Sequence, residues 1–472
     1  MQFTQFPLTR SMMKMAVIAT VLLFAVGAFA QTYNESVIYY FGSQNDPDGV
    51  GPFRNGLVFD AAGNLYATTM IDFGTLNADG AVVELSPQAD NTWLETVLYV
   101  FNRQSTGFNG YYPVGTLAMD SKGNLYGTTI YGGSGGCTDN LGDAVGCGTV
   151  YELSRGTDGA WTPTVLYNFQ GSGYPDGGDT DGAWPEAGVT LGNTTGTVLY
   201  GTTSCGGTGK MAPNVPYCPG TVYELKYTKP TKTKKGGWGE SVIYNFPGPG
   251  GSTGGAEGWW PLSALLLKSG KLYGTTCDGG SYSPGTSGAG TVYELTSGTP
   301  QWKETVLHSF DATDGACPMY GAPVMESNNL YGTANQGGAD GYGTAWELAY
   351  SSTTKTYTEQ TLYSFGTQAT DGTNPNWGLV PYNGSWYGTT GGWQGGQFGA
   401  VGGTAFKLTD SKKTGWQETT LWTFSGSDES PDVAMPGWNQ LVVDKDGNLY
   451  GMAPFGPYGE VNAGGIFELS PK

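Results

Sequence analysis

Short apolar runs of four to seven residues, alternating with polar positions and bounded by Gly, Asn, Asp or Pro, recur from residue 35 almost to the end of the chain. They are rich in β-branched and aromatic residues. Alternation with period two in such company marks half-buried β-strands. The runs are also near-copies of one another. GNLYATT (63–69) returns as GNLYGTT (123–129), TVLYGTT (197–203), GKLYGTT (270–276), NNLYGTA (328–334), GSWYGTT (384–390) and GNLYGMA (447–453). Tyr66 and Tyr450 bracket six periods, a mean of 64 residues each.

Three further phrases keep step. One reads GTVYEL, as at 149–153 and 221–225; a second reads ETVLYxF, as at 35–41, 95–101 and 240–246; the third is a short run after a proline, such as GLVFD (56–60) or LVVD (441–444). Four strands per period and seven copies predict an all-β fold: a seven-bladed β-propeller of four-stranded antiparallel blades. In chain order the strands of a blade are A (GLVFD), B (NLYGTT), C (GTVYEL) and D (ETVLYxF). The A–B connection is a tight Gly/Asn turn, as at 60–64 and 444–448. The first phrase is a D strand (35–41) and the last a C strand (465–469). The N-terminal strand therefore completes the last blade and closes the ring, which removes an exposed sheet edge.

LYGTT, a Gly-Gly loop, GTVYEL, TVLYxF and then DGxxP together resemble the GloVer tandem repeat of bacterial "choice-of-anchor" proteins. The likeness spans nearly all of 35–469. It implies an exported propeller-type protein and carries no common activity with it. The chain departs from that family's name in showing no anchor segment.

Composition narrows the compartment and the partners. Glycine supplies 80 of 472 residues, about 17% against a usual ~7%, while 13% aromatics provide apolar area to bury. Forty acids against 21 Lys and Arg give a net charge of −19, which disfavours nucleic acid, whose phosphates need cations. A single His excludes any site built from two or more imidazoles. Arg10 and Lys14, the apolar stretch 15–26 and Ala28-Phe29-Ala30 read as a signal peptide over 1–30, cleaved before Gln31. That leaves 31–472 as one domain, secreted or associated with the cell envelope, with no transmembrane segment and expected to be monomeric. In such a chain six cysteines predict disulfides. Loop proximity pairs Cys137 with Cys147 and Cys205 with Cys218, leaving Cys277 with Cys317.

Seven internal copies separate scaffold from function. A residue present in every blade meets a need every blade has, whereas a site should lie where blades differ. The C-strand Glu (84, 152, 224, 294, 347, 468, with Lys407 in blade six) reads as inter-strand bonding. His308 stands where other D strands carry Tyr or Trp and reads as a packed ring. The DGxxP loops carry Asp48, Asn109, Asp181, Glu257, Asp314, Asp371 and Asp432, read first as Asx-type turns. The alternative is an acidic ring facing the channel, which would require a cation such as Ca²⁺; otherwise no cofactor is expected.

The D–A and B–C loops share one face. Tyr112, Trp184, Trp259, Trp260, Trp377, Trp438 and Trp393 place rings there beside the carboxylates Asp181, Asp314 and Asp371. Rings beside acids and amides are the chemistry of sugar binding, and long loops on a rigid scaffold are where binding residues collect. The expectation is a non-catalytic binding module for an extracellular glycan or protein ligand. The alternative is a glycoside hydrolase or lyase using carboxylates such as Asp181 and Asp371. Neither a nucleophile motif nor a phosphate loop occurs in the required setting. The lysine-rich C–D connection 226–239 reads as a solvated loop.

Overall fold

The computed structural model describes residues 33–42, 51–70, 79–103, 110–138, 142–171, 181–210, 218–249, 255–280, 288–298, 301–368, 371–394, 397–398, 402–425, 432–456 and 464–472, with backbone alone at 393, 394, 397 and 398. The signal-peptide expectation, Asp48, Asn109 and the Trp393 side chain lie outside this set.

Seven four-stranded antiparallel sheets follow the order A-B-C-D. Blade 1 is Val58–Phe59, Leu65–Thr69, Ala81–Pro87 and Trp93–Val100; blade 4 is Leu266–Lys268, Lys271–Thr276, Thr291–Thr296 and Lys303–Ser309; the others repeat the plan. Blade 7 combines Val442–Val443, Leu449–Ala453 and Gly465–Pro471 with the N-terminal strand Tyr33–Tyr40. That strand runs antiparallel to Gly465–Pro471, with Glu35 opposite Leu469 and Tyr40 opposite Gly465. The ring closes where the order of phrases predicts. Two small ribbons, Gly182–Ala183 with Cys205–Gly206 and Trp393–Gln394 with Gln397–Phe398, decorate the loops.

Most of the repeat is explained by three recurring contacts. The first lies within blades 2 to 7, where the B-strand Gly pairs with the C-strand aromatic. A Cβ on Gly201 would fall 2.3 Å from the Tyr223 hydroxyl, and one on Gly274 would fall 2.4 Å from that of Tyr293. Blade 1 alone has Ala67 in that strand position, and there its partner is the smaller Val83.

The second contact joins neighbouring blades. The Gly that opens each C strand receives the proline of the following blade. A Cβ on Gly80 would lie 2.5 Å from Pro113 Cδ, and one on Gly220 2.6 Å from Pro261 Cδ. GT and DGxxP are thus two halves of one lock between blades. Beside it, the residue before the proline donates its N–H across the seam, Trp184 to the Cys147 carbonyl at 2.8 Å and Trp260 to that of Pro219 at 3.0 Å.

The third contact is the A–B turn. Asp60 Oδ1 accepts from the N–H groups of Ala62 (2.8 Å) and Asn64 (2.9 Å), and Asp120 and Asp444 repeat the arrangement. The C-strand Glu joins strands as expected: Glu152 and Glu347 accept from the Tyr126 and Tyr331 hydroxyls. Apolar clusters fill the seams, each drawing on two adjacent blades. All three expected disulfides are present: Cys137–Cys147 and Cys205–Cys218 within B–C loops, and Cys277–Cys317 joining blade 4 to blade 5. No helix among the described residues is long and apolar enough to cross a membrane.

Candidate functional site

Antiparallel order puts the B–C and D–A loops at one end of the ring, the upper face, and the A–B and C–D turns at the other. At the centre of the upper face, residues from non-adjacent blades touch. Arg54 of blade 1 pairs with Glu186 of blade 3 and lies 4.9 Å over the ring of Tyr320 in blade 5. Tyr320 stacks on Trp377 at 5.7 Å, and Trp438 of blade 7 sits 6.2 Å from Tyr320 and 6.5 Å from Phe53 of blade 1. Blades 1, 3, 5 and 7 can meet only on the axis, so the described side chains there fill the channel mouth. Trp377 and Trp259 are buried, at 4% and 1% exposure, and present no ring face to solvent.

Half-buried rings lie to one side. Every residue before a lock proline is left-handed: Gly51 (φ 62°), Tyr112 (58°), Trp184 (56°), Trp260 (59°), Cys317 (52°), Asn374 (58°) and Met435 (62°). Bulky residues rarely adopt this conformation, and where they do the strain commonly serves a purpose. Tyr112 and Trp184 are half-buried and flank Tyr131, with ring centroids 5.5 and 6.4 Å apart. Tyr111 extends the row, 5.4 Å from Tyr112. Arg103 lies 5.1 Å over Tyr111 while its guanidinium grips the buried Asp79. At the other end Ser204 donates to Glu186 at 2.9 Å. Trp260 packs against the cluster holding Cys277 and Cys317. Sequence reasoning singled out Tyr112, Trp184, Trp260 and Trp438 but passed over Arg54, Glu186, Tyr131 and Tyr320, which no repeated phrase marks.

The loop acids close their own turns. Asp181 accepts from the Gln170 N–H at 2.8 Å, the Gly182 N–H at 2.7 Å and the Tyr167 hydroxyl at 3.0 Å. Asp371 accepts from the Tyr363 hydroxyl at 2.8 Å and the Gln368 N–H at 3.2 Å. Asp314 accepts from the Asp311 N–H at 2.9 Å and meets His308 Nε2 at 2.8 Å. The lone His therefore meets its loop acid as Tyr167 and Tyr363 meet theirs. Among the described residues no group of three or more His, Cys, Asp or Glu is gathered for a metal ion.

Behind these acids stands a carboxyl from the next D strand: Glu240 beside Asp181, Glu304 beside Glu257, Glu359 beside Asp314, Glu418 beside Asp371 and Glu35 beside Asp432. Burial, reinforced by the neighbouring acid, pushes Glu240 and Glu304 up to about 8 and Glu35 and Glu418 up to about 7. Where the loop has Asn109, the D strand has Pro163 in place of Glu. A proton-holding carboxyl beside an acid is general acid–base chemistry when it faces a cleft. Repeated at five seams, in four of which the loop acid also closes its turn, the pair is a packing device.

This sets a pH dependence. In the unfolded chain these Glu titrate near ~4.3. In the fold they hold their protons to about 7 or 8. Their favourable contribution is complete below the unfolded value and is lost as pH rises through the folded values. The thermal midpoint is therefore expected to fall between pH 5 and pH 8.5. Glu304→Gln should recover on the order of 2–4 °C at pH 8.5 and nothing at pH 5. Calorimetry across that range checks it; a midpoint that rises with pH contradicts it.

Residues 261–472 match the family model described as the Gloeobacter/Verrucomicrobia repeat. The match opens at Pro261, the lock proline of blade 4, and the same repeat phrases run through blades 1 to 3. No curated protein matches the chain in sequence. Among solved structures, the PQQ-bound aldose sugar dehydrogenase of Streptomyces coelicolor is 10% identical, with a TM-score of 0.40 over 76% of this chain and 92% of that one. A thermostable family-43 glycoside hydrolase is 14% identical, with a TM-score of 0.31 over 70% and 96%.

Proposed function

We propose that the protein is a secreted, monomeric, non-catalytic binding module that holds an extracellular glycan on the upper face of blades 2 and 3. The observation that carries this reading is the row of half-buried rings Tyr112, Tyr131 and Trp184, backed by the buried Tyr111 and flanked by the ion pairs Arg103–Asp79 and Arg54–Glu186. Apolar ring faces stack on a sugar, and planar charged groups beside them bond its hydroxyls. Two of the rings stand on left-handed backbone that glycine would adopt without strain. The three disulfides suit an oxidising compartment.

The same backbone supplies a clean test. Trp184→Gly and Tyr112→Gly each remove a ring at a position where glycine fits, so the fold should survive. On an array of neutral glycans the intact protein is expected to retain a subset, and each variant to bind it at least ~10-fold more weakly, about 1.4 kcal/mol. Retention of no glycan, or equal retention by the variants, overturns the reading.

A further inference from the structure

A cleft lies on the opposite face. The residue that opens each D strand fills the lower part of a seam. Trp93 meets Tyr450 at 6.0 Å, Trp161 meets Tyr66 at 6.2 Å and Trp302 meets Tyr200 at 6.0 Å. Trp238 and Trp416 pack on the clusters that hold Tyr126 and Tyr331. Two seams hold a smaller Tyr instead: Tyr33 between blades 6 and 7, bonded to Tyr387, and Tyr357 between blades 4 and 5, whose hydroxyl bonds that of Tyr273. Beside Tyr357 the cleft of about 670 Å³ opens, a size in the ~300–1,000 Å³ range of ligand sites.

The rim departs from the other blades as well. Blades 1, 2 and 7 close their A–B turns with Asp60, Asp120 and Asp444. Blade 4 places Lys268 and Lys271 around its turn, and Lys355 of blade 5 comes in from the facing wall. Lys271 is engaged by Glu294 at 2.8 Å, and Glu294 accepts Thr296 as well. Lys268 and Lys355 have no carboxylate partner among the described ion pairs. The walls carry Tyr273, Tyr357 and Tyr350, the last two with centroids 5.1 Å apart. Asn328 and Thr356 add groups able to bond hydroxyls. The contrast in charge is wide: on the B–C and D–A loops the only cations are Arg54, Arg103 and Lys210. Of these, Arg54 and Arg103 are engaged by acids.

We propose that this lower cleft binds an acidic pyranose, its ring against the tyrosines and its carboxylate or sulfate between Lys268 and Lys355. Aromatic walls with two uncompensated cations select a flat, hydroxylated, anionic ring over a neutral one. The site is independent of the upper ring row.

Calorimetric titration of the intact protein with an oligouronate, a sulfated oligosaccharide and a neutral oligosaccharide of equal length tests this. The anionic ligands should bind, more weakly as salt rises, with the neutral one at least ~10-fold weaker. Preference for the oligouronate or the sulfated chain identifies the anion. Lys268→Gln with Lys355→Gln should cost at least ~10-fold. Tyr357→Trp installs the filler that five of the other seams carry, so it should abolish binding while leaving the thermal midpoint unchanged or higher. Trp184→Gly should leave this binding intact. Absence of binding to both anionic ligands, equal binding of the neutral one, or full binding by Tyr357→Trp would overturn the proposal.

Discussion

A chain lacking residues 31–42 is expected to lose the closed ring and to aggregate. The N-terminal strand Tyr33–Tyr40 supplies the whole outer strand of blade 7 and pairs along its length with Gly465–Pro471. It delivers Phe41, at 1% exposure, and Tyr39 to the seam with blade 1, and Tyr33, at 8%, to the seam with blade 6. Each such side chain contributes about 1.5–3 kcal/mol on burial. Removing the strand also bares the backbone edge of Gly465–Pro471, a template for pairing with other chains. The loss should therefore exceed ~5 kcal/mol, comparable to the full stability of many domains. Size-exclusion chromatography with thermal unfolding reads it. A synthetic peptide of residues 31–42 should restore the monomer, because the vacated edge and its pocket are specific. A truncated chain that stays monomeric with an unchanged midpoint contradicts the closure.

Gly201→Ala is expected to destabilise the protein by about 1–3 kcal/mol, the cost of forcing atoms into a filled core. The added methyl would meet the Tyr223 hydroxyl at 2.3 Å, and Tyr223 is itself fully buried. The molecule carries its own compensated version of this change in blade 1, where Ala67 faces Val83. Tyr223→Val alone should cost about 3–5 kcal/mol through the cavity it leaves. The double variant should cost at least ~1 kcal/mol less than the two singles together, since each change makes room for the other. Denaturant titration of the four proteins measures the coupling. Strict additivity would mean that the Gly–aromatic pairing does not govern this part of the repeat.

Much of the fold is legible in the sequence because the determining contacts repeat. Seven glycines meet seven prolines, and the phrases GT and DGxxP record both partners of each lock. The disulfides were legible from loop proximity. The upper face was legible only in part. Trp259, Trp260 and Trp184 look alike as letters, yet one is fully buried and the others half-buried, because left-handed backbone at the position before the proline redirects the chain. Arg54, Glu186 and Tyr320 come from three blades far apart in sequence and share no phrase, so only the closed ring brings them together. The lower cleft is recorded less directly: Tyr357 stands in a position that holds Trp in five blades and Tyr33 in blade 7, and only beside Lys268, Lys271 and Lys355 does that smaller ring mark a cleft. Glu359 and Glu418 belong to the D-strand phrase, and their role emerges only beside the loop acids Asp314 and Asp371.

The central functional claim is binding without turnover. It is tested most directly by incubating the intact protein with the glycans it retains and following both complex formation and newly released sugar ends. The account predicts a saturable complex with no bond cleavage over days at any pH from 5 to 8.5. Cleavage that disappears in Asp181→Asn or Asp371→Asn would contradict it and would make the protein a carbohydrate-active enzyme.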